Sequence, residues 1–334
     1  LYGDGEIAHI AGLSYRRDGE VRHNPDRALC DDLDALPYPD WSLFSLERYS
    51  SLVRRRRYCL PILTSRGCPF DCTFCYKGTI GRQLRMRAPE SVVAEWTYLI
   101  ERYGAQEIAV VDDAFTFDND RVLAICQSLI ERRLDHIPWS TTNGIRVDRV
   151  SPGLFCTMRK AGCYRVYFGI ESGVQRIIDS IGKGITVEQV RHAVTQAKTA
   201  GLEVGGYFMV GNLGESEDDI DATINLAISL DIDYAQFAIA TPYPGTALYE
   251  RVEREGHLLI SSWDQLGTFA RPVFTLGPMT PDVAARGFRR ALRRFYLRPR
   301  YIARHAFDPG AWGALQQRIA GAAVVARLGL FGGR

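Results

Sequence analysis

The chain has 334 residues, a formal net charge of +2 and a hydrophobic content of 46%, which is typical of a globular protein rather than a disordered or fibrous one. The balanced charge gives no indication of a nucleic-acid partner. Its 8 cysteines are too few for a disulfide framework, and we identify neither an apolar run that could span a membrane nor an export signal at the start. We therefore expect a cytoplasmic protein that binds no nucleic acid.

Residues 1–57 are rich in turn formers, are interrupted by Pro37 and Pro39, and end in a basic run at 54–57. This pattern predicts a hairpin followed by a linker. Because the sequence begins at Leu1 rather than at Met, we also expect a further segment to precede it.

From residue 58 onwards, short apolar runs alternate with amphipathic stretches of helical length. The predicted strands cover residues 58–65, 107–112, 138–143, 164–170, 203–210 and 234–240. One intervening helix opens with Pro89, and another runs from a Thr186 cap to Gly201. Such repeated units predict an α/β fold, either a partial (β/α)6 barrel or a doubly wound sheet. In both architectures the loops after the carboxyl ends of the strands form the site.

Three cysteines follow the first predicted strand, namely Cys68, Cys72 and Cys75 in C-x3-C-x2-C spacing. Three thiolates on one tight loop can converge on a common metal centre. A structural zinc site would require a fourth ligand, but the next fifty residues contain no His or Cys, and Cys59 lies at the far end of the strand. The zinc interpretation is therefore disfavoured.

With the aromatic Phe74 before the last cysteine, this motif resembles the defining motif of the radical S-adenosylmethionine superfamily. The resemblance implies that Cys68, Cys72 and Cys75 bind three irons of a 4Fe-4S cluster, whose fourth iron takes the methionine part of S-adenosylmethionine. It also implies a reductant such as flavodoxin or ferredoxin, and cleavage of the cofactor to a 5′-deoxyadenosyl radical. Phe74 is then expected to contact the cofactor.

The second and fourth predicted strands end in polar residues that match positions of this family. Asp112 and Asp113 lie in VDDAFTFD, where the family usually has a Gly-Gly-Glu segment at the methionine amino group. We expect cofactor contact from this pair, with capping of the next helix as the alternative. Glu171 and Ser172 lie in GIESG, where similar proteins bond the ribose or the methionine carboxylate. A carboxylate ending an apolar strand is costly without a partner, and the structural alternative is an ion pair with an arginine such as Arg191.

Two more residues are candidates for cofactor contact. Asn143 follows the third strand, although Asn-Gly is also a common turn. Met209 ends the fifth strand, in GYFMVGNLGESEDD, whose apolar residues are expected at the adenine pocket. Asn212 and Leu213 depart there from the Gly-Leu-Pro-Gly-Glu of the family. After the sixth strand, TPYPGTALYE resembles a Pro-x-Pro-Gly-Thr-x-Leu-Tyr segment of the larger members.

The flanking segments resemble the cobalamin-associated branch of the family, which includes anaerobic magnesium-protoporphyrin monomethyl ester cyclase and hopanoid-modifying enzymes. Cobalamin is thus a further candidate cofactor, although no Asp-x-His-x-x-Gly occurs. The expected divisions are 1–57, the end of a truncated cobalamin-binding-like domain plus linker; 58–250, the radical core; and 251–334, a helical extension. The expected activity is modification of an unactivated carbon of a small or lipid-like substrate, by methylation or a related cyclisation. The alternatives are a methylthiotransferase of RNA or protein and a non-catalytic metal-binding protein.

The segment 286–304 contains eight arginines and no acidic residue. Such a basic amphipathic helix is typical either of contact with an anionic membrane surface or of a solvated face packed on a domain. We favour the packed face. The apolar residues 320–333 are too few to span a membrane.

Overall fold

The computed structural model describes residues 7–46, 49, 54–267, 269 and 272–306. The opening LYGDGE segment and the apolar segment at 320–333 lie outside the described residues.

The predicted N-terminal hairpin is present as β1 (Ser14–Arg17) and β2 (Glu20–His23), which pair antiparallel. Most of its side chains are exposed, so this hairpin does not share the main core. The linker that follows contains a single turn of 3-10 helix at Trp41–Leu43, capped by the side chain of Asp40.

The central element is a six-stranded parallel sheet. Its strands are β3 (Cys59–Ile62), β6 (Glu107–Val110), β7 (Trp139–Ile145), β8 (Cys163–Glu171), β9 (Glu203–Val210) and β10 (Tyr234–Ile239). They stand in the order β3-β6-β7-β8-β9-β10, so the strands lie side by side in the sheet in the same order as along the chain. A doubly wound sheet reverses its strand order, and this sheet does not, which excludes that alternative. Among the described residues no pairing joins β3 to β10, so no closed barrel forms.

Helices connect the strands and continue beyond the sheet. They are α1 (Pro89–Tyr103), α2 (Asn119–Glu131), α3 (Pro152–Lys160), α4 (Gln175–Ser180), α5 (Val187–Thr199), α6 (Glu217–Ser229), α7 (Ala247–Glu255), α8 (Pro281–Tyr296) and α9 (Pro299–Ala306). Short antiparallel pairs are formed by β4 (Ser65–Arg66) with β5 (Arg85–Met86) and by β11 (His257–Leu258) with β12 (Phe274–Thr275). The predicted Thr186 cap of α5 is present, and Gln189 completes a capping box.

The two faces of the sheet differ in chemistry. One face packs apolar side chains against the helices, as where Phe168 of β8 meets Phe155 of α3 with 6.1 Å between ring centroids. On the other face, Arg165 of β8 pairs with Glu203 of β9 at 2.6 Å. Since side chains alternate along a strand, this polar face continues along β8 to Tyr167, before the register shift between Gly169 and Glu171 interrupts the alternation.

The basic segment at 286–304 forms most of α8 and α9, and its arginines face acidic residues. Arg290 pairs with Asp221 of α6 at 2.8 Å and with Glu217 at 3.1 Å, while Arg294 also reaches Asp221 at 3.0 Å. The geometry favours the packed face that we expect from the sequence. Within the described residues, no helix combines the length and apolar character that crossing a membrane requires.

Candidate functional site

Residues 67–75, the cysteine loop, lie beyond the carboxyl end of β3. The loop begins at Gly67, whose φ is 92°, and a Cβ there would lie 2.1 Å from the carbonyl oxygen of Gln83. Only glycine fits this turn. Further along, the Thr73 N–H donates to the carbonyl of Ile181 at 2.9 Å, and the Thr73 carbonyl accepts from Leu248 N–H at 2.9 Å. The loop is therefore fixed on both sides by backbone hydrogen bonds.

The three cysteines of this loop carry free thiols. Burial raises the pKa of the Cys72 and Cys75 thiols, so their thiolates form readily only beside a compensating cation such as a bound metal. In the part of the chain that the structure describes, no three His, Cys, Asp or Glu side chains converge on a single metal ion. A 4Fe-4S cluster requires its cysteine sulfurs to lie farther apart than the ligands of a single ion, since each thiolate binds a different iron. The donor set and its place on one fixed loop fit such a cluster.

Glu171, at the end of β8, adopts an unusual backbone conformation. Its φ is 69°, a left-handed value that is uncommon for residues other than glycine, and it follows a register shift in the pairing of β8 with β9. Its carboxylate accepts a hydrogen bond from Lys183 Nζ at 2.8 Å. Arg191, the alternative partner, instead bonds the hydroxyl of Ser229 at 3.2 Å.

The Lys183–Glu171 pair is buried, with side-chain exposures of 10% and 11%. Burial alone lowers the pKa of Lys183, but attraction by Glu171 and Cys72 outweighs it and raises this pKa above the usual value, so the ammonium stays charged. Space for the pair comes from Gly169, where a Cβ would lie 2.6 Å from Lys183 Nζ. Lys183 belongs to a turn at 181–184, here called the Lys183 turn, which receives the hydrogen bond from Thr73.

A cavity of about 480 Å³ opens at this end of the sheet. Four predicted residues line it together, namely Phe74, Asn143, Glu171 and Met209. Residues that sequence reasoning does not identify also contribute, among them Tyr207, Gln236 and Tyr243. The Tyr207 ring stacks on Tyr167 with 5.2 Å between centroids.

Three other predicted residues do not line the cavity. Asp112 is 2% exposed, and its carboxylate accepts hydrogen bonds from Thr64 N–H at 2.7 Å and from the hydroxyls of Thr64 and Ser65. It therefore anchors the start of the cysteine loop rather than facing the cavity. Ser172 is buried beside Thr223, with 3.1 Å between their hydroxyl oxygens.

Asp113 is exposed and lies next to the cavity-lining Asn143, whose amide donates to its carboxylate at 3.0 Å. Partial desolvation of its carboxylate raises the pKa of Asp113, although the hydrogen bond from Asn143 acts in the opposite direction. Neither Asp112 nor Asp113 caps a helix, since the side chain that caps α2 is that of Asp118.

Sequence reasoning misses Lys183 as well. The available signal is the Gly-Lys-Gly segment, since Gly182 and Gly184 have φ values of 67° and 66° and shape the turn that carries the lysine. The lysine stands 12 residues from Glu171 in sequence, so only the folded turn brings the two charges together.

The Radical SAM superfamily model matches residues 62–227 of the chain. Over 307 residues the chain is 38% identical to an uncharacterized methyltransferase, PH0819 of Pyrococcus horikoshii, covering 91% of this chain and 65% of that protein. It is 29% identical to an anaerobic magnesium-protoporphyrin IX monomethyl ester cyclase of Rubrivivax gelatinosus, covering 83% of this chain and 48% of that one. The chain thus spans about half to two thirds of these relatives.

The fold resembles that of TsrM from Kitasatospora setae, a radical S-adenosylmethionine methyltransferase solved with cobalamin and a 4Fe-4S cluster bound. The TM-score is 0.61 at 18% identity, over 79% of this chain and 53% of that one, a similarity that concerns the fold alone. Together, the superfamily match and the relatives show that the chain carries a radical SAM domain.

Proposed function

We propose that this chain is the catalytic core of an enzyme that uses a 4Fe-4S cluster and S-adenosylmethionine to modify an unactivated carbon, by methylation in the first instance. The observation that carries the proposal is the contact between the cysteine loop and the Lys183 turn. Thr73 of the loop bonds the turn directly, and the lysine of the turn pairs with Glu171 of the cavity wall. A cluster on the loop would thus adjoin the cavity.

Cys68, Cys72 and Cys75 would hold the cluster, and the cavity would hold S-adenosylmethionine. When bound, the two supply one-electron cleavage of the cofactor and a reactive carbon radical or a methyl group. The Glu171 carboxylate and the Lys183 ammonium offer opposite charges for the amino and carboxylate groups of the methionine part. Phe74 and Met209 supply apolar surface for the nucleoside, and a nucleoside packed there would limit the access of water to the reacting groups.

Several features of the whole protein belong to the same proposal. The strand order, which does not reverse within the sheet, favours a sheet curled into a partial (β/α)6 barrel. The radical core would then occupy 58–250, between a linker and a helical extension. The PH0819 relative is named a methyltransferase and TsrM binds cobalamin, which supports cobalamin-dependent methylation over cyclisation here. We further propose a small or lipid-like substrate, flavodoxin or ferredoxin as reductant, and a cytoplasmic location.

A methylthiotransferase is the second candidate, because a putative methylthiotransferase of Methanocaldococcus jannaschii, MJ0865, is 30% identical over 265 residues. That activity would call for an RNA-binding barrel after the core, whereas the described residues after β12 form α8 and α9.

The proposal is tested by anaerobic reconstitution of the protein with iron and sulfide, followed by EPR of the reduced protein with and without S-adenosylmethionine. We expect a 4Fe-4S signal that the cofactor perturbs, together with formation of 5′-deoxyadenosine or S-adenosylhomocysteine. The matched control is the Cys68→Ala, Cys72→Ala, Cys75→Ala triple variant, which should lose the signal. Zinc in place of iron, or an unperturbed signal without either product, would refute an enzymatic role.

A further inference from the structure

Arg146 lies between the cysteine loop and the Lys183 turn. It directly follows β7, and its guanidinium carbon stands 3.6 Å from the ring centroid of Phe70, a short cation–π contact. Phe70 belongs to the cysteine loop, between Cys68 and Cys72. The same guanidinium donates from Nη1 to the carbonyl oxygen of Lys183 at 2.8 Å. One side chain therefore contacts both the cysteine loop and the Lys183 turn.

The orientation of Arg146 is fixed by a third partner. Asp148 accepts from its Nε at 2.8 Å and from its Nη2 at 3.0 Å, a bidentate pair of the kind that holds a guanidinium in one plane. The Arg146 side chain is only 11% exposed. Lysine could keep the charge at this place, but it could not make the planar fork, the ring stack and the carbonyl bond together.

The charge of Arg146 also acts on the cysteine loop. Its guanidinium stacks on Phe70, which is two residues from Cys68 and two residues from Cys72. Reduction adds an electron to an iron–sulfur cluster, so a fixed cation nearby stabilises the reduced form and raises the reduction potential.

We propose that Arg146 is a positioning residue of the cofactor site, which holds the Lys183–Glu171 pair at a fixed distance from the cysteine loop and raises the reduction potential of a cluster bound there. This inference rests on the proposed function, because it requires a cluster on the loop and S-adenosylmethionine in the cavity. It adds a role for a side chain that does not itself line the cavity.

The test compares Arg146→Lys and Arg146→Gln with the wild type after anaerobic reconstitution. Equilibrium dialysis measures the dissociation constant for S-adenosylmethionine, and an EPR-monitored redox titration measures the midpoint potential of the cluster. Neither variant can keep the Asp148 fork, the Phe70 stack and the Lys183 carbonyl bond together, so we expect the dissociation constant to rise about tenfold in each. The midpoint potential should fall in Arg146→Gln and stay near the wild-type value in Arg146→Lys.

Arg149→Gln is the matched control. Arg149 is exposed and lies farther from the same ring, at 5.8 Å from the Phe70 centroid. We expect the Arg149→Gln variant to match the wild type in its dissociation constant for S-adenosylmethionine and in the midpoint potential of the cluster. An equal change in the Arg149 variant would show that surface charge alone is responsible, which would overturn the positioning role.

The two proposals fail in different ways. A wild-type protein without a cofactor-perturbed 4Fe-4S signal contradicts the proposed function itself. A wild type with that signal, beside Arg146 variants of unchanged affinity and potential, contradicts only the positioning role. If the Arg146 variants do not fold, Phe70→Leu removes the ring while leaving the polar bonds of Arg146 in place. It should raise the dissociation constant several-fold, and an unchanged constant there would equally overturn the inference.

Discussion

Glu215, in the turn between β9 and α6, is a carboxyl group with 0% exposure. Its Oε2 accepts from the N–H groups of Gly211 at 2.6 Å and Asn212 at 2.9 Å, while its Oε1 has no hydrogen-bond partner among the described residues. Burial raises the pKa of Glu215 to about 7, more than the two N–H donors lower it. The carboxyl group thus takes up a proton within the range of pH used for ordinary experiments.

We predict that Glu215→Gln removes a pH dependence of stability. Because the folded protein binds this proton with a pKa near 7, against 4.5 for the free side chain, its free energy of unfolding falls as pH rises through that window. Glutamine is neutral throughout and keeps one oxygen for the two N–H donors. As the pH rises from below 4.5 to above 7, the free energy of unfolding of the wild type should therefore fall by about 3 kcal/mol relative to that of the variant.

Urea unfolding at several pH values measures this difference. Asp218→Asn is the control, since Asp218 is exposed at the start of the same helix and should leave the pH profile unchanged. Parallel profiles for the wild type and Glu215→Gln would mean that Glu215 remains ionised across the window.

At the scale of elements, α8 illustrates how a basic sequence becomes part of the fold. Phe288, Leu292 and Phe295 are buried on one side of the helix. On the other side, Arg286, Arg290 and Arg294 pair with Glu217 and Asp221 of α6. Such partly exposed pairs contribute little to stability, because solvent screens the attraction between the charges. Their main effect is to neutralise a face that would otherwise attract anions.

We predict that the full chain does not sediment with vesicles containing anionic phosphatidylglycerol at physiological salt. The paired carboxylates lower the net charge of the arginine face, and salt screens what remains. The Glu217→Gln, Asp221→Asn double variant releases Arg286, Arg290 and Arg294 and should gain vesicle binding. The variant is compared with wild type on neutral phosphatidylcholine vesicles as a control. Strong sedimentation of the wild type with anionic vesicles would favour the membrane-contact alternative.

The strands of the sheet are predictable from sequence because apolar runs and helical periodicity are local properties. The positions of Asp112 and Glu171 at strand ends follow from the same pattern. Their partners do not, because Asp112 bonds Thr64 through the pairing of β3 with β6, and Glu171 meets Lys183 only through a folded turn. The strand order that separates a barrel-like sheet from a doubly wound one is likewise a long-range property, which local periodicity does not encode.

At the scale of the whole molecule, the N-terminal linker is tied to the segment that follows the cysteine loop. Arg85 of β5 is 6% exposed and donates to the carbonyl of Cys30 in the linker at 2.7 Å and to that of Ile80 at 2.7 Å. Nearby, the Ala88 N–H donates to Asp34 of the linker at 2.9 Å. The linker is therefore held by hydrogen bonds against the segment that follows the cysteine loop.

We predict that Arg85→Ala loosens this attachment without unfolding the core. It removes the charged donor from the part-buried carbonyls of Cys30 and Ile80, a cost of about 1–3 kcal/mol per lost bond, which falls on a linker that has few other buried contacts. Hydrogen exchange should then be faster by at least about tenfold in the linker amides at 29–36 and in β4–β5, and unchanged in β8 and β9. Arg82→Ala is the control, because Arg82 is 67% exposed and pairs with the exposed Asp71. Equal linker protection in Arg85→Ala and wild type would show that Asp34 and the apolar contacts hold the linker without Arg85.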